Sequence, residues 1–302
     1  MTRHARGLPM LALAVIAMGW QSAGADTYSW MNDSAGYGYF CQYSIPNTLA
    51  DESCAPSSAI NTLVFLQNTY ASQLGGVPLV GSGYGGWNAT AQTLQGYFGT
   101  TEDGSSGPGQ TAGLANYLSS IGAADLVTLD AIAFDTSAEY PEWVAQGATP
   151  TFGDFYGWMS GGDGVYFDII YADGGTGPGD VLGHVLALVG LEWNDANGDG
   201  VVDQSEGATF SVIDPLDPSV NYAGSEVLGP PKVTTVSIWQ GVAGELQFSY
   251  QQYQGNLPFN ASNYATASGF IGGAVSISVI PSPAAWATLT VGSLARRRRR
   301  VG

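Results

Sequence analysis

Few residues in this chain can do nucleophilic chemistry. It has 302 residues with two Cys and two His. His4 lies in an apolar leader, so the body carries Cys41, Cys54 and His184. Cys54 stands in Ser53-Cys54-Ala55-Pro56-Ser57-Ser58-Ala59, at the expected start of a helix. Free N–H groups and the helix dipole at such a position stabilise a thiolate. His184 opens the strand-like run His184-Val185-Leu186-Ala187-Leu188-Val189-Gly190. A lone His in a strand is more often a core residue with a satisfied hydrogen bond, but a low-pKa thiol beside an imidazole is an activated nucleophile. A third group must orient the ring. Asp214 follows the strand-like run 209–213 and precedes Pro215, where a sheet should end. The expected roles are Cys54 as nucleophile, His184 as base and acid, and Asp214 as orienter.

A second constellation is Asp195-Ala196-Asn197-Gly198-Asp199-Gly200-Val201-Val202-Asp203-Gln204-Ser205-Glu206. Its spacing offers oxygen ligands from Asp195, Asn197, Asp199, the Val201 carbonyl, Asp203 and a two-oxygen Glu206, with Gly200 at the sharp turn. Hard oxygen donors without Cys or His select Ca2+ over zinc. The loop 195–206 resembles that of an EF-hand, as in dockerins, although its flanks read as strands rather than helices.

The elements that must position these residues change character along the chain. Helical patterns cover 55–70, 87–98, 110–121 and 151–160. Runs rich in Val, Ile, Thr and aromatics cover 165–171, 184–193, 209–213, 232–239, 245–250 and 274–279. Helices first and strands later predict an α+β fold, a helical lobe packed against an antiparallel sheet. The body, 26–280, holds one base, Lys232, and all 25 acidic residues. A formal charge of −24 with no Arg excludes phosphate-tracking nucleic-acid binding.

Together these residues resemble the papain-like cysteine peptidase superfamily, in particular the bacteriocin-processing type. The matches are Cys54-Ala55-Pro56-Ser57-Ser58-Ala59-Ile60-Asn61, then Gly183-His184 opening an apolar strand, then Asp214-Pro215 after the next strand. His184 follows Cys54 by 130 positions, within the papain-type range. The resemblance implies a papain-like fold, hydrolysis of a peptide or protein substrate, and an oxyanion donor before the Cys. Gln42, or the nearer Asn47, would fill that last role. The competing reading is an inactive papain-fold, calcium-binding surface or matrix protein in which Cys41 and Cys54 form a disulfide.

The ends read as addresses. Residues 1–25 carry Arg3 and Arg6, an apolar run and Ala23-Gly24-Ala25, the pattern of a secretory signal peptide. Residues 281–302 carry Pro281-Ser282-Pro283, an apolar run and five consecutive Arg. This tail resembles the PEP-CTERM sorting signal of exported bacterial proteins, which implies an exosortase-type partner. It also implies transient membrane contact through 284–300 and a product at the cell surface or outside the cell.

Overall fold

The chain is described by a computed structural model over residues 26–172, 183–217, 232–253 and 264–280. The proposed signal peptide and sorting tail lie outside these residues. Helix α1 (Cys54–Thr69) is buried without a break from Ala55 to Leu66. Such all-round burial fits its apolar and small side chains, and makes α1 an internal helix. It docks on the sheet through side-chain hydroxyls. Ser58 Oγ donates to the Val185 carbonyl at 2.8 Å, and Thr62 Oγ1 donates to the Val165 carbonyl at 3.4 Å. Helices α2 (Gly83–Phe98) and α3 (Gly107–Ser120) pack beside it, and α4 (Phe152–Gly161) starts with a Thr151–Asp154 capping box.

The strands are β1 (Asp26–Met31), β2 (Val127–Ala133), β3 (Val144–Gln146), β4 (Gly164–Tyr171), β5 (Gly183–Asp195), β6 (Thr209–Ile213), β7 (Thr234–Gln240), β8 (Leu246–Tyr253) and β9 (Tyr264–Val279). They form one sheet in the order β1-β5-β6-β7-β8-β9-β2-β3, and β4 pairs with both β5 and β9. The ring β4-β5-β6-β7-β8-β9 is therefore a closed, six-stranded antiparallel barrel. Alternate residues of β4 and β5 face opposite cores. Phe167, Leu186 and Leu188 fill the barrel with Phe210 and Phe248, while Tyr166, Val185 and Ala187 face the helices. Burial on both faces explains why these two strands read as unbroken apolar runs.

This architecture corrects the expected papain-like α+β arrangement. The protein is β-rich: a nine-stranded sheet, mostly rolled into a barrel, with four short helices among the described residues. Strands β1, β2 and β3 supply three members that alternation in the sequence does not announce. The largest difference is β9, which runs for 16 residues and bonds β8, β4 and β2. Its first ten residues, Tyr264-Ala-Thr-Ala-Ser-Gly-Phe-Ile-Gly-Gly273, include the small residues of a loop, yet those residues let β4 approach and close the ring.

Gly269 sits at that seam. A Cβ there would lie 1.9 Å from the Ile170 carbonyl oxygen. Gly269→Ala must therefore push β9 off β4, and is expected to lower stability by about 2–4 kcal/mol. Urea unfolding checks this, and an unchanged midpoint would show that the seam does not need glycine.

Candidate active site

Cys54 is the first residue of α1, and the turn before it is arranged to leave the helix end open. The N-cap residue Ser53 makes no side-chain cap. Its hydroxyl donates instead to the Leu49 carbonyl and accepts from Gln95 Nε2 at 2.5 Å. Pro56 has no N–H to offer, and the Ser57 N–H is used by the Ser53 carbonyl at 3.0 Å. The Cys54 and Ala55 N–H groups thus remain as donors at the helix start. Both cysteines are free, Cys41 buried and Cys54 half-buried, so the expected alternative with a Cys41–Cys54 bridge is corrected. Burial pushes the Cys41 thiol up to about 12, with a nearby Tyr43 N–H opposing and Asp214 and Asp217 adding to the shift.

His184 and Asp214 meet because β5 and β6 are antiparallel. Ala187 pairs with Ile213, so His184 and Asp214 form a diagonal pair on one face at the same end of the ladder. His184 Nε2 and Asp214 Oδ1 are 2.7 Å apart, and both residues are buried. The Cys54 side chain lies close enough to the His184 ring to favour its charged form. With Nε2 on Asp214, the ring presents Nδ1 to the sulfur. Asp214 is held by two further donors, the Leu216 N–H at 2.8 Å to Oδ1 and the Tyr250 hydroxyl at 3.1 Å to Oδ2. Tyr250 is a site residue that the sequence reading missed. Its only signal is an inward-facing position on β8, where a buried hydroxyl requires a partner.

Burial of His184 opposes its charge, but the Asp214 carboxylate and the adjacent Cys54 sulfur outweigh this and raise it to about 10 from 6.5. The folded value lies above the unfolded one, so charging His184 contributes stability in full below about pH 6.5. That contribution is lost as pH rises through about 10. The urea midpoint is expected to fall across this window, and to fall less in His184→Gln. Parallel midpoints for the two proteins would contradict an imidazolium at this site.

Gln42 and Asn47 have separate fates. Gln42 is fully buried, its N–H donates to the Pro215 carbonyl at 3.0 Å, and its Nε2 donates to the Asp51 carbonyl at 2.6 Å. It therefore joins the turn after Asp214 to the turn before Cys54, and one hydrogen of its amide remains to be given. Asn47 donates through Nδ2 to Gln95 Oε1 at 2.7 Å. It braces α2 against the turn that carries Ser53.

The loop 195–206 is the β5–β6 connection. Asp195, 2% exposed, accepts from the Gly198 N–H at 2.7 Å and the Gly200 N–H at 3.0 Å. Asn197 accepts from Asp199 N, and Asp199 from Val201 N. Glu206 turns back to accept from Asn197 N at 3.3 Å and Asp203 N at 3.0 Å. The Asp203 N–H, above all, holds the Glu206 carboxyl below its usual range, against slight desolvation and with help from Asn197 and Trp193. No three Asp, Glu, His or Cys side chains among the described residues gather closely enough to hold a metal. The all-oxygen set, which includes the Asn197 amide and the Val201 carbonyl, has the chemistry of a calcium loop. His184 and Asp195 stand at opposite ends of β5, about 35 Å apart along an extended strand. A cavity of about 420 Å³ lined by Tyr28, Phe152, Tyr156, Trp193, Val202 and Leu246 lies at the loop's end.

No family model, curated protein or solved structure matches the chain. No described helix is long and apolar enough to cross a membrane.

Proposed function

We propose that the protein is an exported thiol hydrolase that cleaves peptide or amide bonds. The observation that carries this reading is the line Cys54–His184–Asp214 at the open end of α1, with His184 hydrogen-bonded to Asp214 and the Cys54 sulfur acting on the ring. The residue-level likeness to bacteriocin-processing-type cysteine peptidases supports it.

The chemistry follows from the placement of the proton. With the proton on His184, the Cys54 sulfur attacks the substrate carbonyl carbon and a C–S bond forms. The carbonyl oxygen becomes an oxyanion that faces the Cys54 N–H and the remaining Gln42 amide hydrogen. His184 Nδ1 then gives its proton to the leaving nitrogen as the C–N bond breaks, and a thioester remains. Water attacks the thioester while His184 takes its proton, the C–S bond breaks, and the acid is released. Asp214, fixed by Leu216 and Tyr250, keeps the ring aimed at the sulfur throughout.

Asp195, Asn197, Asp199, Val201, Asp203 and Glu206 would hold Ca2+ as a structural ion that pins the β5–β6 turn. Export through residues 1–25 and sorting through 281–302 belong to the same proposal and place the activity at the cell surface or outside it. The competing inactive, disulfide-bridged form has no support from two free thiols. The test is hydrolysis of a mixed peptide substrate that stops when Cys54 is replaced; a protein with no hydrolytic activity would overturn the reading.

A further inference from the structure

Three buried polar atoms on β4 and α3 have no partner among the described residues: Asp168 Oδ1, Gln110 Oε1 and the Tyr166 hydroxyl. They belong to one place. Tyr166 and Asp168 are two apart on β4 and share its helix-facing side. The Gln110 side chain of α3 lies close enough to the Asp168 carboxyl to favour its charged form, and the Asp168 charge acts on Tyr166. Gln110 is 5% exposed and Tyr166 fully buried, while Asp168 is half-buried. Asp168 pairs with Val185, the neighbour of His184, and its charge also reaches His184. On the other side it faces Gly273 of β9, whose missing side chain leaves Asp168 Oδ2 uncrowded.

The chemistry of these atoms is one-sided. An ionised carboxylate oxygen and an amide oxygen only accept, and a hydroxyl can accept as well as donate. Left dry, acceptors of this kind are costly, so they call for a donor-rich guest. Among the described residues the one base, Lys232, is engaged elsewhere, with Asp217 and Tyr264. Burial pushes the Asp168 carboxyl up to about 7, against the nearby Gln110 amide and the His184 charge; a cation arriving at Oδ1 would reverse that shift. An ammonium brings three donors and a guanidinium five, and a body of charge −24 draws such groups in.

We infer that the unpartnered acceptors of Asp168, Gln110 and Tyr166 receive a basic side chain, Lys or Arg, of the peptide substrate next to the scissile bond. The inference rests on the thiol-hydrolase reading and names its substrate class.

Peptidyl fluoromethyl ketones test it. Each reagent carries Arg or its uncharged counterpart norleucine at one of the three positions before the reactive carbonyl. The readout is the rate of Cys54 labelling by mass spectrometry. Arg at one position is expected to speed labelling about tenfold or more over norleucine. Asp168→Asn should bring that ratio close to one. Equal rates for Arg and norleucine at all three positions in the wild-type protein overturn the inference, and that comparison needs no variant. A preference for Arg that survives in Asp168→Asn overturns it too, because the net charge alone would then be responsible. No labelling of Cys54 by any reagent overturns the thiol-hydrolase reading itself, and the inference with it.

Discussion

Replacing Cys54 with Ala should lower kcat/KM for any peptide that the protein cleaves by about 10⁴-fold or more, and His184→Ala should do the same. The size follows from the division of labour. Without the sulfur no thioester forms, and without the imidazole neither the nucleophile nor the leaving nitrogen is served. The two losses should not add, because both residues act in one step; the double variant should match the worse single one. Cys41→Ala provides the contrast. Cys41 is buried with its thiol pushed up to about 12, and its removal should leave the rate within a few-fold. Steady-state kinetics of the four variants decide the matter. A Cys54→Ala protein that keeps its activity would show that another group attacks the substrate.

Chelation of calcium should lower the melting temperature by about 5–10 °C. A ligand that binds only the folded form stabilises it by about 2.7 kcal/mol at a hundredfold excess over its dissociation constant, and each kcal/mol shifts a chain of this size by about 2–4 °C. Glu206→Gln with calcium present should reproduce much of the shift, since Glu206 folds back over the loop onto Asn197 and Asp203. The expected effect on catalysis is small. The loop closes the far end of the β5–β6 ladder, whereas His184 and Asp214 sit at the other end, beyond a register shift between Leu188 and Gly190. The rate at temperatures well below melting should therefore hold within a few-fold. A melting temperature that ignores chelator would mark 195–206 as an ordinary acidic turn. A rate that collapses in the cold would mean that the whole hairpin moves as one rigid piece.

Residue types, order and local pattern made much of the candidate site legible in the sequence. Cys54 before a helix, one His in the body, Asp214-Pro215 after a strand and the twelve-residue acidic loop are all local signals. So are the four helices, whose apolar residues lie within each segment. The positions of β4 to β8 could also be read, because Val, Ile and aromatic residues cluster there whichever faces they cover.

What needed the tertiary structure was everything set by distant pairing. Barrel closure depends on β9, whose small residues look like a loop until β4 lies against them, and a glycine's value as a gap is invisible without the neighbour that fills it. Gln42 and Asn47 were equal candidates by type; one is tied to Pro215 and Asp51 beside the site, the other to Gln95. Tyr250 gains its part only because β8 brings its hydroxyl to Asp214, 36 positions away in the chain. Asp168 was one acid among 25. Only packing shows that it lies beside His184 with an oxygen that none of the described residues satisfies. Propensity and periodicity are properties of neighbouring residues, so a sequence carries them by itself. The partner of a buried polar atom is decided by which strands the folded chain sets side by side, and that information is spread over the whole chain.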